Sequence, residues 1–220
     1  MNVFDIIGPI MVGPSSSHTA GAVRIGLVTR KLLDEEPARI ILKLHGSFGA
    51  TGVGHGTHQA LIAGLLGMKP DDIRVPISDQ IADENGICYK FINQTIPDAH
   101  PNTVLIQITG KNGRELEVQA SSTGGGRIMI NKIDGIDVNF TGEHNTLIVH
   151  NLDQPGHVAE VTSMLSHKSV NIATMQLFRD SRGGYAVMVI ETDQDVPKDS
   201  IKWLEHLEGV IKVTYLAAIE

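Results

Sequence analysis

From about Asn145 onward the apolar residues switch between period two and period 3.6 in one fixed order, and few architectures accept that order. TLIVHN has the pattern of a strand and DQPGHVAEVTSMLSHK of a loop entering a helix. VNIATMQLFRD and GGYAVMVIETD are two more strands, DSIKWLEHLEG a second helix and VIKVTYLA a last strand. The order β-α-β-β-α-β over about 75 residues predicts a ferredoxin-like unit.

The preceding residues follow another plan. Val23, Ile25, Leu27, Val28 and Leu32 keep helical spacing, which predicts a helix over Thr19 to Glu36 that ends before Pro37. Arg39 to Ser47 is β-branched and predicts a strand, and His55 to Gly67 predicts a second helix with a glycine stop. TVLIQITGKNGRELEVQASS predicts two strands joined at Asn112-Gly113, a dipeptide that accepts the positive φ of a tight hairpin. Strand-like segments continue over Ile128–Ile133 and Asp137–Phe140. The chain is therefore expected to be α+β, with a mixed α/β domain over 1–144 and the ferredoxin-like domain over 145–220, the boundary falling between Gly142 and Asn145.

A chain of 220 residues with 41% hydrophobic content can bury a core for one or two domains. The net charge of −7, with basic residues scattered singly, argues against a nucleic-acid partner and against a membrane surface. No apolar run approaches the ~20 residues of a membrane span, and the opening residues, with Asn2 and Asp5, lack a basic segment followed by an apolar core, so a cytoplasmic protein is expected. Cys88 is the single cysteine. It cannot form an internal disulfide, and an iron-sulfur cluster ordinarily takes about four thiolates, so cluster chemistry would have to come from another chain.

Polar groups concentrate in GPSSSHTAGAVRIG, Gly13 to Gly26, at the start of the first helix. The first backbone N–H groups of a helix lack internal partners and the macrodipole favours negative charge there. Ser15, Ser16, Ser17 and Thr19 would surround those groups, and the small Ala20, Gly21 and Ala22 admit close approach, which makes the loop a candidate receptor for a carboxylate. The plainer alternative is that the hydroxyls only cap the helix. His18 adds a group that titrates near neutrality.

GATGVGHGTHQA repeats the arrangement before the second helix. His55, flanked by glycines, is the better candidate for proton transfer, whereas His58 lies one turn into the helix and is expected to pack. A zinc site on His55 and His58 fails, since no glutamate lies between them and no cysteine pair accompanies them. STGGGRI joins strand to strand rather than strand to helix, so it is no nucleotide fingerprint; it is either a tight turn or a place where backbone at Gly124 and Gly125 approaches a ligand. His45, His100, His144, His150, His167 and His206 are expected in packing or hydrogen-bonding roles.

Taken together, GPSSSHTAGAVRIG, GHGTHQA, SSTGGG and the C-terminal unit resemble the β chain of the two-subunit iron-sulfur L-serine dehydratases, over the whole chain. The C-terminal unit resembles an ACT domain, and the N-terminal one the allosteric-substrate-binding domain also found in some phosphoglycerate dehydrogenases. The resemblance implies deamination of L-serine to pyruvate and ammonia, with a 4Fe-4S cluster on a companion α chain and no metal held by this one. It implies Ser15, Ser16, Ser17, Thr19, Gly124 and Gly125 near the substrate, His55 as base and His18 as its orienting partner or a carboxylate ligand. For the ACT unit it implies an amino-acid effector, L-serine itself, or a potassium ion, at Asn151, Asp153, Gln154, Pro155, Gly156 and His157. Asn171 and Ile172 would complete that pocket across a side-by-side pair of copies. Two alternatives remain at this point: a free-standing amino-acid sensor, and a detached regulatory part of a phosphoglycerate dehydrogenase.

Overall fold

The computed structural model describes residues 10–52 and 54–218. The opening residues, where no leader was expected, and Val53 of the second glycine loop lie outside that range. The chain divides into two compact units, 1–135 and 136–220.

In the first unit a turn of π-helix, Ser16–Gly21, runs directly into α1 (Ala22–Leu33), followed by β1 (Pro37–Leu44), α2 (Ser47–Thr51) and α3 (Thr57–Leu65). A short 3-10 turn leads to α4 (Ser78–Glu84), and then come β2 (Cys88–Asn93), β3 (Thr103–Gly110), β4 (Glu115–Gly124) and β5 (Arg127–Ile133). The strands lie in the order β2-β1-β3-β4-β5, with β1 and β2 parallel and the other pairs antiparallel. Ile40, Leu42, Val104, Ile106, Val118 and Ile130 are all buried on the side that alternation assigns to the helices.

Two glycines set the helix pair. A Cβ on Gly26 of α1 would sit 2.4 Å from the Leu61 carbonyl oxygen, and one on Gly64 of α3 2.0 Å from that of Val23. The two backbones therefore touch, and the loops preceding each helix are brought side by side. Helix rotation begins at Ser16, earlier than the apolar period indicates, and the strand expected to run to Ser47 ends at Leu44 because Ser47 already starts α2. The hairpin after β3 is longer than a two-residue turn: the Gly110 N–H donates to Arg114 O at 2.8 Å, and Gly113 takes φ 89° while Asn112 stays out of the left-handed region.

The second unit opens with β6 (Ile136–Phe140), which lies against two of the strands that follow. It then runs β7 (Asn145–Leu152), α5 (His157–His167), β8 (Ile172–Arg179), β9 (Tyr185–Thr192), α6 (Lys198–Glu205) and β10 (Val210–Leu216). The antiparallel sheet has the order β10-β7-β9-β8, the ferredoxin-like arrangement. Leu147, Val149, Met188 and Ile190 from the strands pack with Val161, Leu165 and Leu204 from the helices.

Candidate active site

Ser15 starts the polar loop as a cap: its backbone is extended and its hydroxyl accepts the His18 N–H at 3.1 Å. The Thr19 N–H donates to Ser15 O at 2.8 Å and the Ala20 N–H to the same carbonyl at 3.4 Å, the wider closure of a π turn. Gly21 lets β4 close on this turn, because a Cβ at that position would lie 2.1 Å from Ser122 Oγ. Ser16, Ser17 and His18 are half-buried, and Thr19 is buried.

The turn delivers His18 to His55. Their ring centroids are 5.0 Å apart with planes 37° from parallel, and Phe48 meets the His18 ring edge-on at 5.4 Å. His18 Nε2 lies 3.0 Å from Ser47 Oγ and 3.2 Å from Thr51 Oγ1. The Thr51 hydroxyl spends its one proton on Ser47 O at 2.9 Å, so toward His18 it accepts, which places the imidazole proton on Nε2. Burial holds the His18 pKa below its ordinary value, the charge of His55 adds to that, and a Ser47 backbone contact pulls weakly the other way. Neutral His18 is thus the favoured form.

His55 is exposed at the ring and fixed at the backbone. Its N–H donates to Thr51 O at 3.3 Å, and its own carbonyl accepts the Thr19 hydroxyl at 3.2 Å. Nδ1 lies 3.1 Å from Thr51 O, and a carbonyl can only accept, so Nδ1 carries the proton and Nε2 keeps its lone pair. A neutral imidazole held in that tautomer, on an exposed residue, has the arrangement a general base requires. Thr19, expected near substrate, therefore spends its hydroxyl on positioning His55.

Four contributors to this site escaped sequence reasoning. Ser47, Phe48 and Thr51 sit on a five-residue helix too short to show a period. Ser122 stands in the SSTGGG stretch, but the sequence gives it no role of its own before its contact with Gly21 is seen. Gly124 and Gly125 form the tip of the β4–β5 hairpin, with φ 98° and 62°, and open space lies where either would carry a Cβ. His58 stacks on Phe91 at 4.0 Å, and burial lowers its pKa. His45 Nδ1 accepts the Ile96 N–H and His100 Nδ1 the Asn102 N–H, both at 3.1 Å.

In the second unit the turn from β7 into α5 is strapped to its own chain. Asp153 accepts the Gly183 N–H at 3.0 Å and Arg179 Nη1 at 2.9 Å, and these contacts hold its carboxyl below the usual range. Asn151 and His157 are buried, while Gln154, Pro155 and Gly156 are exposed. Asn151 Oδ1 and both ring nitrogens of His157 lack hydrogen-bond partners. Asn171 donates to Asp193 Oδ2 at 2.6 Å, and Ile172 starts β8 opposite Thr192, which pairs with Asn145. Within one chain these two residues lie at the far end of the sheet from Asn151, roughly 20 Å away at strand rise.

The donor set of this chain does not fit an iron-sulfur cluster. Cys88 is exposed on β2, and among the described residues no group of three or more His, Cys, Asp or Glu is placed to hold a metal. No helix of the described residues is long and apolar enough to cross a membrane.

Comparison with known proteins agrees with both units. The profile of the serine dehydratase beta chain family matches residues 2–89, and that of the ACT domain residues 145–205. A probable L-serine dehydratase beta chain of Bacillus subtilis is 43% identical over 98% of both chains. The L-serine dehydratase beta chain of Peptoniphilus asaccharolyticus is 38% identical over 88% of this chain and 87% of its own. A D-3-phosphoglycerate dehydrogenase of Mycobacterium bovis is 25% identical over 80% of this chain, which spans only 34% of that protein. With two relatives matched across nearly their whole length, the chain belongs to the L-serine dehydratase beta-chain family.

Proposed function

We propose that this chain is the β subunit of an iron-sulfur L-serine dehydratase, which converts L-serine to pyruvate and ammonia together with an α subunit that holds the 4Fe-4S cluster. The observation that carries the proposal is the His55 tautomer: Nδ1–H on Thr51 O leaves Nε2 as a proton acceptor at the rim of the polar loop. Loss of water across Cα and Cβ of serine needs removal of a weakly acidic α-proton, and His55 Nε2 takes it. The imidazolium so formed stands beside a His18 held neutral, so no second positive charge opposes it. Ser15, Ser16 and Ser17, with Gly124 and Gly125 at the hairpin tip, are the residues proposed to meet the substrate.

The ACT unit is proposed to bind an effector, L-serine or potassium, at the turn from Asn151 to His157. Asn171 and Ile172 would join that pocket only from a second copy. Coexpression with the α subunit tests the main proposal: the two chains should copurify in fixed stoichiometry and release pyruvate and ammonia from L-serine. A β chain that purifies alone and restores no activity at any ratio would leave only an amino-acid sensor.

A further inference from the structure

Arg24 is a cation that meets no anion among the described residues. It stands half-buried on α1, its Nη1 donates to Gly126 O at 3.3 Å, and its Nε is buried with no partner. No carboxylate among the described residues pairs with it. Gly21 lies three positions earlier on the same helix face, and against Gly21 stands Ser122 Oγ, fully buried and also without a partner. Two unsatisfied donors, one of them charged, thus sit on elements that pack together, α1 against β4. Arg24 meets the β4–β5 tip at the Gly126 carbonyl, and beside it Gly124 and Gly125 have open space where a side chain would stand. Buried donors left unpaired are costly, and a guanidinium fork matches a carboxylate in shape and charge.

We infer that Arg24 binds a carboxylate at the Gly124–Gly126 hairpin tip, with Ser122 as the neighbouring donor, and that this carboxylate is the one L-serine carries. The inference rests on the dehydratase proposal for the identity of its ligand. It makes Arg24 the residue that distinguishes an amino acid from an amino alcohol. The same chemistry has a second source, an acidic side chain of the α subunit, and the measurements separate the two.

Arg24→Gln and Arg24→Lys are assembled with the α subunit, and the complexes are compared with L-serine, glycolate, which keeps hydroxyl and carboxylate, and serinol, which lacks the carboxylate. In Arg24→Gln the KM for L-serine and the inhibition constant of glycolate rise together, by roughly tenfold or more. The kcat falls by less than KM rises, the serinol constant stays put, and Arg24→Lys lies between. Ser122→Ala weakens glycolate binding while leaving the melting temperature equal or higher, because an unpaired buried hydroxyl has been removed. Glycolate and L-serine constants within twofold of wild type in Arg24→Gln overturn the inference. Loss of α-subunit association with unchanged glycolate affinity assigns the carboxylate to the partner and overturns it equally. Calorimetric titration of the complex with glycolate needs no turnover, so a wild-type complex that binds glycolate through Arg24 but releases no pyruvate would contradict the dehydratase proposal alone.

Discussion

The imidazoles of His18 and His55 face each other at 5.0 Å between centroids, each pinned to the five-residue helix α2. His18 meets the hydroxyls of Ser47 and Thr51, and His55 the Thr51 carbonyl.

That pairing has a pH signature. His18 is held below its ordinary value of 6.5 by burial and by the charge of His55. The unfolded chain therefore takes up the proton more readily, so this group's contribution to stability is present above pH 6.5 and is lost as pH falls through the lower folded value. Substituting Asn for His55 removes the like charge, and the His18 carbon resonances should then titrate at higher pH than in the wild type. An unchanged or lower midpoint would break the electrostatic link between the rings.

Thr19→Val removes the hydroxyl that holds the His55 carbonyl and leaves the shape intact. Urea denaturation should show a loss of about 0.5–1.5 kcal/mol. Turnover in the reconstituted enzyme should fall further than that loss explains, because His55 is no longer fixed. Equal kcat in the two proteins would remove Thr19 from the positioning of His55.

Gly64→Ala drives a methyl group onto the Val23 carbonyl oxygen and separates α1 from α3. Overpacking of this kind costs roughly 1–3 kcal/mol. Denaturation should register that cost, and activity should fall with it, since the two helices carry the loops that bring the histidines together. Wild-type stability would mean that the helix crossing is looser than these contacts imply.

Asp153→Asn weakens the strap from the β7–α5 turn to Arg179 and Gly183. Titration calorimetry of the whole chain with L-serine, with and without potassium, should give heat for the wild type and a weaker response for the variant. No heat from either protein in either buffer assigns the ACT unit to assembly alone.

The ferredoxin-like unit was legible in the sequence because its helices bury one face while β7 and β9 are buried at nearly every position, so apolar runs and helical spacing alternate in a fixed order. The first unit was legible only in part. CYKFIN forms the edge strand β2 with no fully buried position, so it lacks the alternation that marks β3 and β4. The close approach of Gly21 to Ser122 is a contact between distant residues that no local pattern encodes. The sequence singled out His18 by its hydroxyl-rich loop and His55 by its glycine neighbours, but their meeting follows from Gly26 and Gly64, which let two backbones touch. Arg24 carries no mark in the sequence, because an unpaired guanidinium is recognised only when its surroundings are known.

Turnover by His55→Ala, assembled with wild-type α subunit at full stoichiometry, bears most directly on the role given to His55 Nε2. Loss of a general base typically costs about 10²–10⁴ in rate, and kcat should fall by at least the lower of these while serine still binds. A kcat close to that of the wild type would contradict proton removal by His55.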